Sequence, residues 1–326
     1  MDQRGAQAVS AAAGATAILD LGTNTFNLLV RNPDGALIFS DKIAVRLGAG
    51  GLRDGIITPD AADRAVAAVA QHLVSARAQG AVQSFAFATS AMRSTANGAE
   101  LAARIERETG QPINIIDGDQ EAAFIAEGVA QAWPELSERH LIMDIGGGST
   151  EFILREGGHN LWAASFALGV TRLAERFLPS DPTTPAQWAE VDAHLHAELA
   201  PLWTALEAHP CSILLGSSGS FDTLYNVMAH RSGGAELELG QARAEFDLNA
   251  WASTSQAVQQ ATTEARLLMP GMLAMRAETL HLSARQIDLV LARLNARRML
   301  LSGYALKEGV WSSIQDPNTP WRAYCW

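Results

Sequence analysis

Lysine is nearly missing from this chain. Only Lys42 and Lys307 occur in 326 residues, arginine supplies the rest of the 24 positive charges, and 35 acidic residues leave a formal charge of −11. That balance excludes the broad basic face that non-specific DNA or RNA binding requires. Any polyanion held here has to be gripped by a few arginines and a metal ion. Cysteine is as scarce. Cys211 and Cys325 are too few for a disulfide framework, and Cys211 opens an apolar run where a thiol packs as a small hydrophobe. A reducing cytoplasm is the expected compartment. No apolar run approaches the ~18 residues of a membrane span, so no membrane partner is expected. The first thirteen residues lack the basic start and apolar core of a signal peptide, and residues 1–14 read as a loose tail. Also absent are a Cys/His metal cluster, a Ser-His-Asp order, a P-loop, heptads and low-complexity tracts. His194 and His196 stand two apart on an expected helix and so point to different faces.

What remains is an ordinary globular composition, 48% hydrophobic and 18% charged. It is long enough for two cores of ~150 residues each. Strand signals at 16–21, 26–31 and 36–41 form a meander, with Asn32-Pro33-Asp34-Gly35 as its second turn. A helix follows the Thr58-Pro59-Asp60 cap and stops at Gly80; a strand (84–88), a helix (97–109), a strand (113–116) and a helix from about Asp119 come next. The order βββαβαβα predicts a mixed sheet with helices on its faces. The second half repeats it, with strands at 140–145, 151–156 and 160–167, helices near 168–178 and 185–208, a strand at 212–215, and helices to the end. The halves divide near 128–139. The tryptophans at 311, 321 and 326 make the tail too aromatic for an idle linker, so it is expected to pack on the body or on a partner subunit.

One pattern occurs twice. Ile18-Leu19-Asp20-Leu21-Gly22-Thr23-Asn24-Thr25-Phe26 and Ile142-Met143-Asp144-Ile145-Gly146-Gly147-Gly148-Ser149-Thr150-Glu151 are each an apolar run ending in aspartate, a small hydroxyl-rich turn, and a second apolar run. Each reads as a β-hairpin with a carboxylate at its mouth. Glycines at such turns leave backbone N–H groups free to converge on an anion, and Thr23, Thr25, Ser149 and Thr150 add hydroxyl donors. A phosphate suits that cradle, and the aspartates could hold Mg²⁺ against it. Alone, either hairpin is equally a plain structural turn. Two in equivalent register suggest duplicated halves closing on one phosphate chain.

Three further segments link a strand to a helix, where ligands bind in α/β sheets. In Ala88-Thr89-Ser90-Ala91-Met92-Arg93, Arg93 is either a bidentate phosphate clamp or a surface arginine paired with a helix carboxylate. In Ile116-Asp117-Gly118-Asp119-Gln120-Glu121, Glu121 either serves the helix dipole or, if it faces the hairpins, positions and deprotonates a water. Gly216-Ser217-Ser218-Gly219 offers another phosphate-sized turn, or only a tight connection.

Together with Leu168-Gly169-Val170-Thr171-Arg172-Leu173, these motifs resemble, in order over residues 16–308, the exopolyphosphatase / guanosine pentaphosphate phosphohydrolase (Ppx/GppA) family. The resemblance implies an α/β fold of two actin-like (ribonuclease H-like) domains, each a mixed sheet with helices on both faces, around a cleft. It implies domain I at 15–130, rejoined by a helix near 293–308, domain II at 131–292, and a Trp-rich tail at 309–326. It further implies Mg²⁺, with a monovalent cation left open, a polyphosphate or guanosine nucleotide substrate, and a homodimer. Glu121 and Asp144 match the catalytic pair, while Asp20, Asp144 and Glu151 match acidic residues near the metal. Gly22, Thr23, Asn24, Thr25, Gly146, Gly147, Gly148 and Ser149 match the two phosphate loops, with Arg93 beside them and Gly216, Ser217 and Ser218 as a third turn. Arg276, in Arg276-Ala277-Glu278-Thr279, falls where the family often has Arg-Ala-Asp-Val near the cleft, Glu278 being a mild departure. Long members carry a further helical domain that extends a basic channel. A chain of 326 residues and net acidity is therefore expected to favour short polyphosphate or a nucleotide such as pppGpp. A phosphotransferase of the same superfamily and a non-catalytic alarmone-binding regulator are the readings from other classes.

Overall fold

The computed structural model describes residues 14–177, 180–238, 240–316 and 318–326. All of the expected tail except Gly14 lies outside the described residues. Two antiparallel meanders seed two sheets. In the first, β1 (Ala15–Leu21), β2 (Thr25–Arg31) and β3 (Leu37–Ala44) pair in sequence, and Gly35 turns the chain at φ +85°. Then β4 (Ala81–Ala88) adds parallel to β1, and β5 (Ile113–Ile115) parallel to β4. The second sheet repeats this with β6 (His140–Ile145), β7 (Thr150–Glu156) and β8 (His159–Phe166), followed by β9 (Ile213–Ser217) parallel to β6.

Helix ends follow the expected chemistry. Thr58 caps Pro59–Ala78 by accepting from the Ala61 N–H, and Gly110 closes Gly98–Thr109 in the left-handed conformation. Asp117 and Gln120 form a capping box on Gly118–Ala132. The stretch expected as one helix over 185–208 is two, Pro185–Glu198 and Ala200–Ala208. Pro201 has no N–H to continue the ladder.

The C-terminal third departs most from expectation. It holds three strands besides helices: β10 (Arg243–Phe246), β11 (Arg298–Ser302) and β12 (Ala323–Cys325). The second sheet runs β10-β11-β9-β6-β7-β8, while β12 pairs antiparallel with β4 in the first. The helix expected near 293–308 is instead β11 followed by the helix Leu306–Ile314. Asn295 ends the preceding helix with φ +46°, and the short apolar run Arg298–Ser302 fits between β9 and β10 as a buried strand. The Trp-rich end packs back on the body. Trp321 meets Phe87 and Phe124 edge-on at 5.2 and 5.7 Å, and Arg31 lies over Trp311.

Two helices position the site. Gly118–Ala132 and Leu306–Ile314 share one buried cluster with Ile18, Leu29, Phe85 and Phe87 of the first sheet and Ile142, Ile153, Leu215 and Leu300 of the second. They cross backbone to backbone. A Cβ on Gly309 would sit 1.8 Å from the Phe124 carbonyl oxygen, and one on Gly128 1.9 Å from that of Ala305. Gly309→Ala is therefore expected to cost about 2 kcal/mol or more, read as a lowered urea midpoint. No helix of the described residues is long and apolar enough to cross a membrane.

Candidate active site

Both hairpin turns close in the same way. The Gly22 N–H donates to the Thr25 carbonyl at 3.1 Å, and Gly146 to Ser149 at 3.0 Å. Register then builds two matching rows, since residues opposed across neighbouring strands share a face. Asp20 stands opposite Asn27, and Asn27 opposite Lys42. Asp144 stands opposite Glu151, Glu151 opposite Ser165, and Ser217 of β9 opposite Asp144 on the other side. Asn27 Nδ2 donates to Asp20 at 2.9 Å, Ser217 Oγ to Asp144 at 2.6 Å, and Ser165 Oγ to Glu151 at 2.7 Å.

The two turns touch, and glycine is what lets them. A Cβ on Gly147 would lie 2.7 Å from the Asn24 side chain, and one on Gly148 2.6 Å from the Thr23 and Ser90 hydroxyls. Thr171 Oγ1 donates to Asn24 Oδ1 at 2.7 Å, and Arg172 joins the Gly148 carbonyl to Ser94. Asp20 and Asp144 consequently line one cavity of about 140 Å³. Gly22, Thr23, Asn24, Thr25, Glu121, Gly146, Gly147, Gly148, Ser149, Glu151, Ser218 and Arg276 line it too. Three expected residues do not. Arg93 Nη1 is engaged by Glu121 Oε2 at 2.8 Å and by the Ile116 carbonyl at 2.9 Å, so it braces the glutamate from behind. Ser217 reaches the cavity only through Asp144, and the place of a Cβ on Gly216 is taken by the Phe221 ring.

Lys42, Lys307 and Asp222 also line the cavity, and sequence reasoning passed over them. A signal existed for the lysines, because they are the only two in the chain. Asn27 could have been found by aligning the halves, where it falls on Glu151, seven residues after each aspartate.

Burial pushes the carboxylates up. Glu121 is held well above its ordinary range by burial and then by the neighbouring Glu151, with Arg93 pulling the other way. Glu151 is raised to about 7 by burial and Asp144, against the Ser165 and Ser149 hydrogen bonds. Asp20 reaches about 6 through burial, opposed by Lys307 and Asn27, and burial raises Asp144 against its serine partners. Burial works against the Lys307 ammonium, yet Glu308, Asp20 and Asp222 hold it above its usual value.

Such a set suits a hard cation. Among the described residues no three His, Cys, Asp or Glu side chains converge closely enough to make a metal centre unaided. Mg²⁺, however, is usually held by one or two carboxylates together with water and substrate phosphates, and Asp20, Asp144 and Glu151 fit that mode. The sign of the Glu151 shift gives an expectation for the protein without divalent cations. A folded-state value raised above the unfolded one means that its stabilising contribution is present below about pH 4 and lost as pH rises towards 7. Glu151→Gln should then stabilise the chelated protein at pH 8, by on the order of 2 kcal/mol, and change little at pH 4. Thermal melts in EDTA at the two pH values check this.

Comparison with known proteins identifies the family and the fold. The model of the Ppx/GppA phosphatase family matches residues 29–317. Exopolyphosphatase 1 of Mycobacterium tuberculosis H37Rv is 28% identical over 299 residues, covering 90% of this chain and 86% of that protein. The crystal structure of an exopolyphosphatase from Cytophaga hutchinsonii superposes with a TM-score of 0.88 at 33% identity, over 92% of this chain and 97% of that one. The Aquifex aeolicus family member superposes with a TM-score of 0.74 at 20% identity, over 94% and 99%, a likeness of fold. The fold is thus α/β with two actin-like domains around a cleft.

Proposed function

The chain belongs to the Ppx/GppA phosphatase family, and on that footing we propose that it is a Mg²⁺-dependent exopolyphosphatase, releasing orthophosphate from the end of a polyphosphate chain. The observation that carries this reading is the single cavity onto which both glycine turns and the four carboxylates Asp20, Glu121, Asp144 and Glu151 open. Two relatives bearing the name exopolyphosphatase favour polyphosphate over pppGpp.

In this reading the N–H groups of the two turns and the Thr23, Thr25 and Ser149 hydroxyls receive the terminal phosphoryl oxygens. Mg²⁺, when bound by Asp20, Asp144 and Glu151, would neutralise charge on those oxygens. Arg93 fixes Glu121 through Oε2, leaving Oε1 to accept a proton from water. A carboxylate held well above the ordinary glutamate range by burial takes that proton more readily than an exposed glutamate. The water oxygen forms the new bond to phosphorus in line, the bridging P–O bond breaks, and its electron pair leaves with the shortened chain. Asp144, set by Ser217, orients the water. No covalent enzyme intermediate is needed. The free thiols Cys211 and Cys325 suit a reducing cytoplasm, which belongs to the same reading.

The test is phosphate release from short polyphosphate, long polyphosphate and pppGpp, side by side. Release from polyphosphate at a kcat/KM above that for pppGpp is expected. Phosphate released only from pppGpp would reassign the substrate, and none from any of the three would end the proposal.

A further inference from the structure

The chain places its whole complement of lysine, Lys42 and Lys307, on the wall of the catalytic cavity. A second cavity of about 540 Å³ adjoins it and shares both residues, along with Asn27, Asp222 and Gly303. The lysines therefore stand at the neck between the two. Lys42 comes from β3, in register with Asn27 and so with Asp20. Lys307 comes from the first turn of Leu306–Ile314, the helix clamped between the sheets.

Neither ammonium is satisfied by the protein alone. Lys42 is exposed to the cavities and makes no hydrogen bond or ion pair with the described residues. Lys307 meets Glu308 at 3.1 Å, with its side chain 24% exposed. An ammonium has three donors, and one carboxylate, which also accepts from the Ala305 N–H, does not use them all. Past the neck the outer cavity adds Asp41, Glu238 and Glu308 against Arg31, so it supplies no further excess of positive charge. With Mg²⁺ in the cavity, a polyphosphate end would have cationic partners as far as the neck; beyond it the added groups are net acidic and oppose a longer chain.

Resting on the exopolyphosphatase reading, we infer that Lys42 and Lys307 form a cationic neck that binds the phosphoryl groups next to the one being cleaved, matching the site to short linear polyphosphate. The groups at the neck do not react, so the lysines act chiefly on affinity. The glutamate that meets the water acts on turnover.

The experiment measures kcat and KM, per chain end, with tripolyphosphate and long polyphosphate for the wild type and for Lys42→Met, Lys307→Met, Lys42→Arg and Lys307→Arg. Binding of tripolyphosphate to Glu121→Gln, with and without Lys42→Met, is measured by calorimetry in Mg²⁺. Each Met variant should raise KM, and Lys42→Met the dissociation constant, roughly tenfold or more, with a smaller change in kcat. The Arg variants should restore most of the affinity. Wild-type KM per chain end should be nearly the same for the two substrates. Lys42→Met, on an exposed strand position, keeps the test open if Lys307→Met does not fold. Unchanged KM and binding in a folded Met variant, with normal wild-type hydrolysis, overturns the neck and leaves the function standing. Arg variants as weak as Met variants at unchanged Tm overturn it equally, since shape rather than charge would be at work. A KM that keeps falling as the chain lengthens overturns the match to short chains. A wild-type protein that neither binds nor cleaves polyphosphate removes both proposals.

Discussion

Replacing Glu121 by Gln is expected to lower kcat for phosphate release by about 10²–10⁴-fold, the usual contribution of a positioned general base, while changing KM much less. The substitution keeps the shape and an oxygen for Arg93 Nη1 to bond, so the helix end and the loop carrying Arg93 should stay in place. It removes the carboxylate that, in the proposed mechanism, takes the proton from water. Burial and Glu151 already hold that proton site well above the ordinary glutamate range, and an amide offers no substitute. Steady-state kinetics on tripolyphosphate, with a melt to confirm folding, decides the matter. Turnover within threefold of wild type would assign the water to another residue, with Asp144 next to be tested.

Removal of divalent cations should have an effect of the same order, at least 10²-fold in rate, reversed by added Mg²⁺. The reason is a count of charge. Five carboxylates line the candidate site's cavity, Asp20, Glu121, Asp144, Glu151 and Asp222, against three cations, Lys42, Arg276 and Lys307. A polyphosphate end adds several negative charges to a wall that is already net acidic. Its approach is costly in a low-dielectric setting unless a cation comes with it. EDTA treatment followed by a Mg²⁺ titration of phosphate release is the measurement, and full activity in EDTA would refute it. The same titration followed by thermal melting should show Mg²⁺ stabilising the protein more at pH 8 than at pH 5.5. Asp20, at about 6, and Glu151, at about 7, have to lose protons before they can hold the ion.

Much of this architecture can be read from local chemistry. Aspartate, glycine and hydroxyl residues within ten positions specify a hairpin with an open turn, and that information needs no distant contact. The caps at Thr58 and Asp117 and the stops at Gly80 and Gly110 are equally local. Expectation failed where an element depends on what covers it. β11 is five residues long, and as an isolated run it is as compatible with a helix as with a strand; its neighbours β9 and β10 decide. β12 exists only because β4 offers it an edge.

The site divides along the same line. From its own residues the chain determines two phosphate-sized turns, a carboxylate before each, and a glutamate in the first turn of a helix, because backbone geometry and capping act over a few residues. Packing of the two sheets around Gly118–Ala132 and Leu306–Ile314 decided that Asp20 and Asp144 share a cavity, that Arg93 braces Glu121, and that Lys307 returns to Asp20 from the opposite end of the chain. Those relations hang on strand register and on helices meeting at Gly128 and Gly309, where contacts distant along the chain are made only once the buried surfaces have closed.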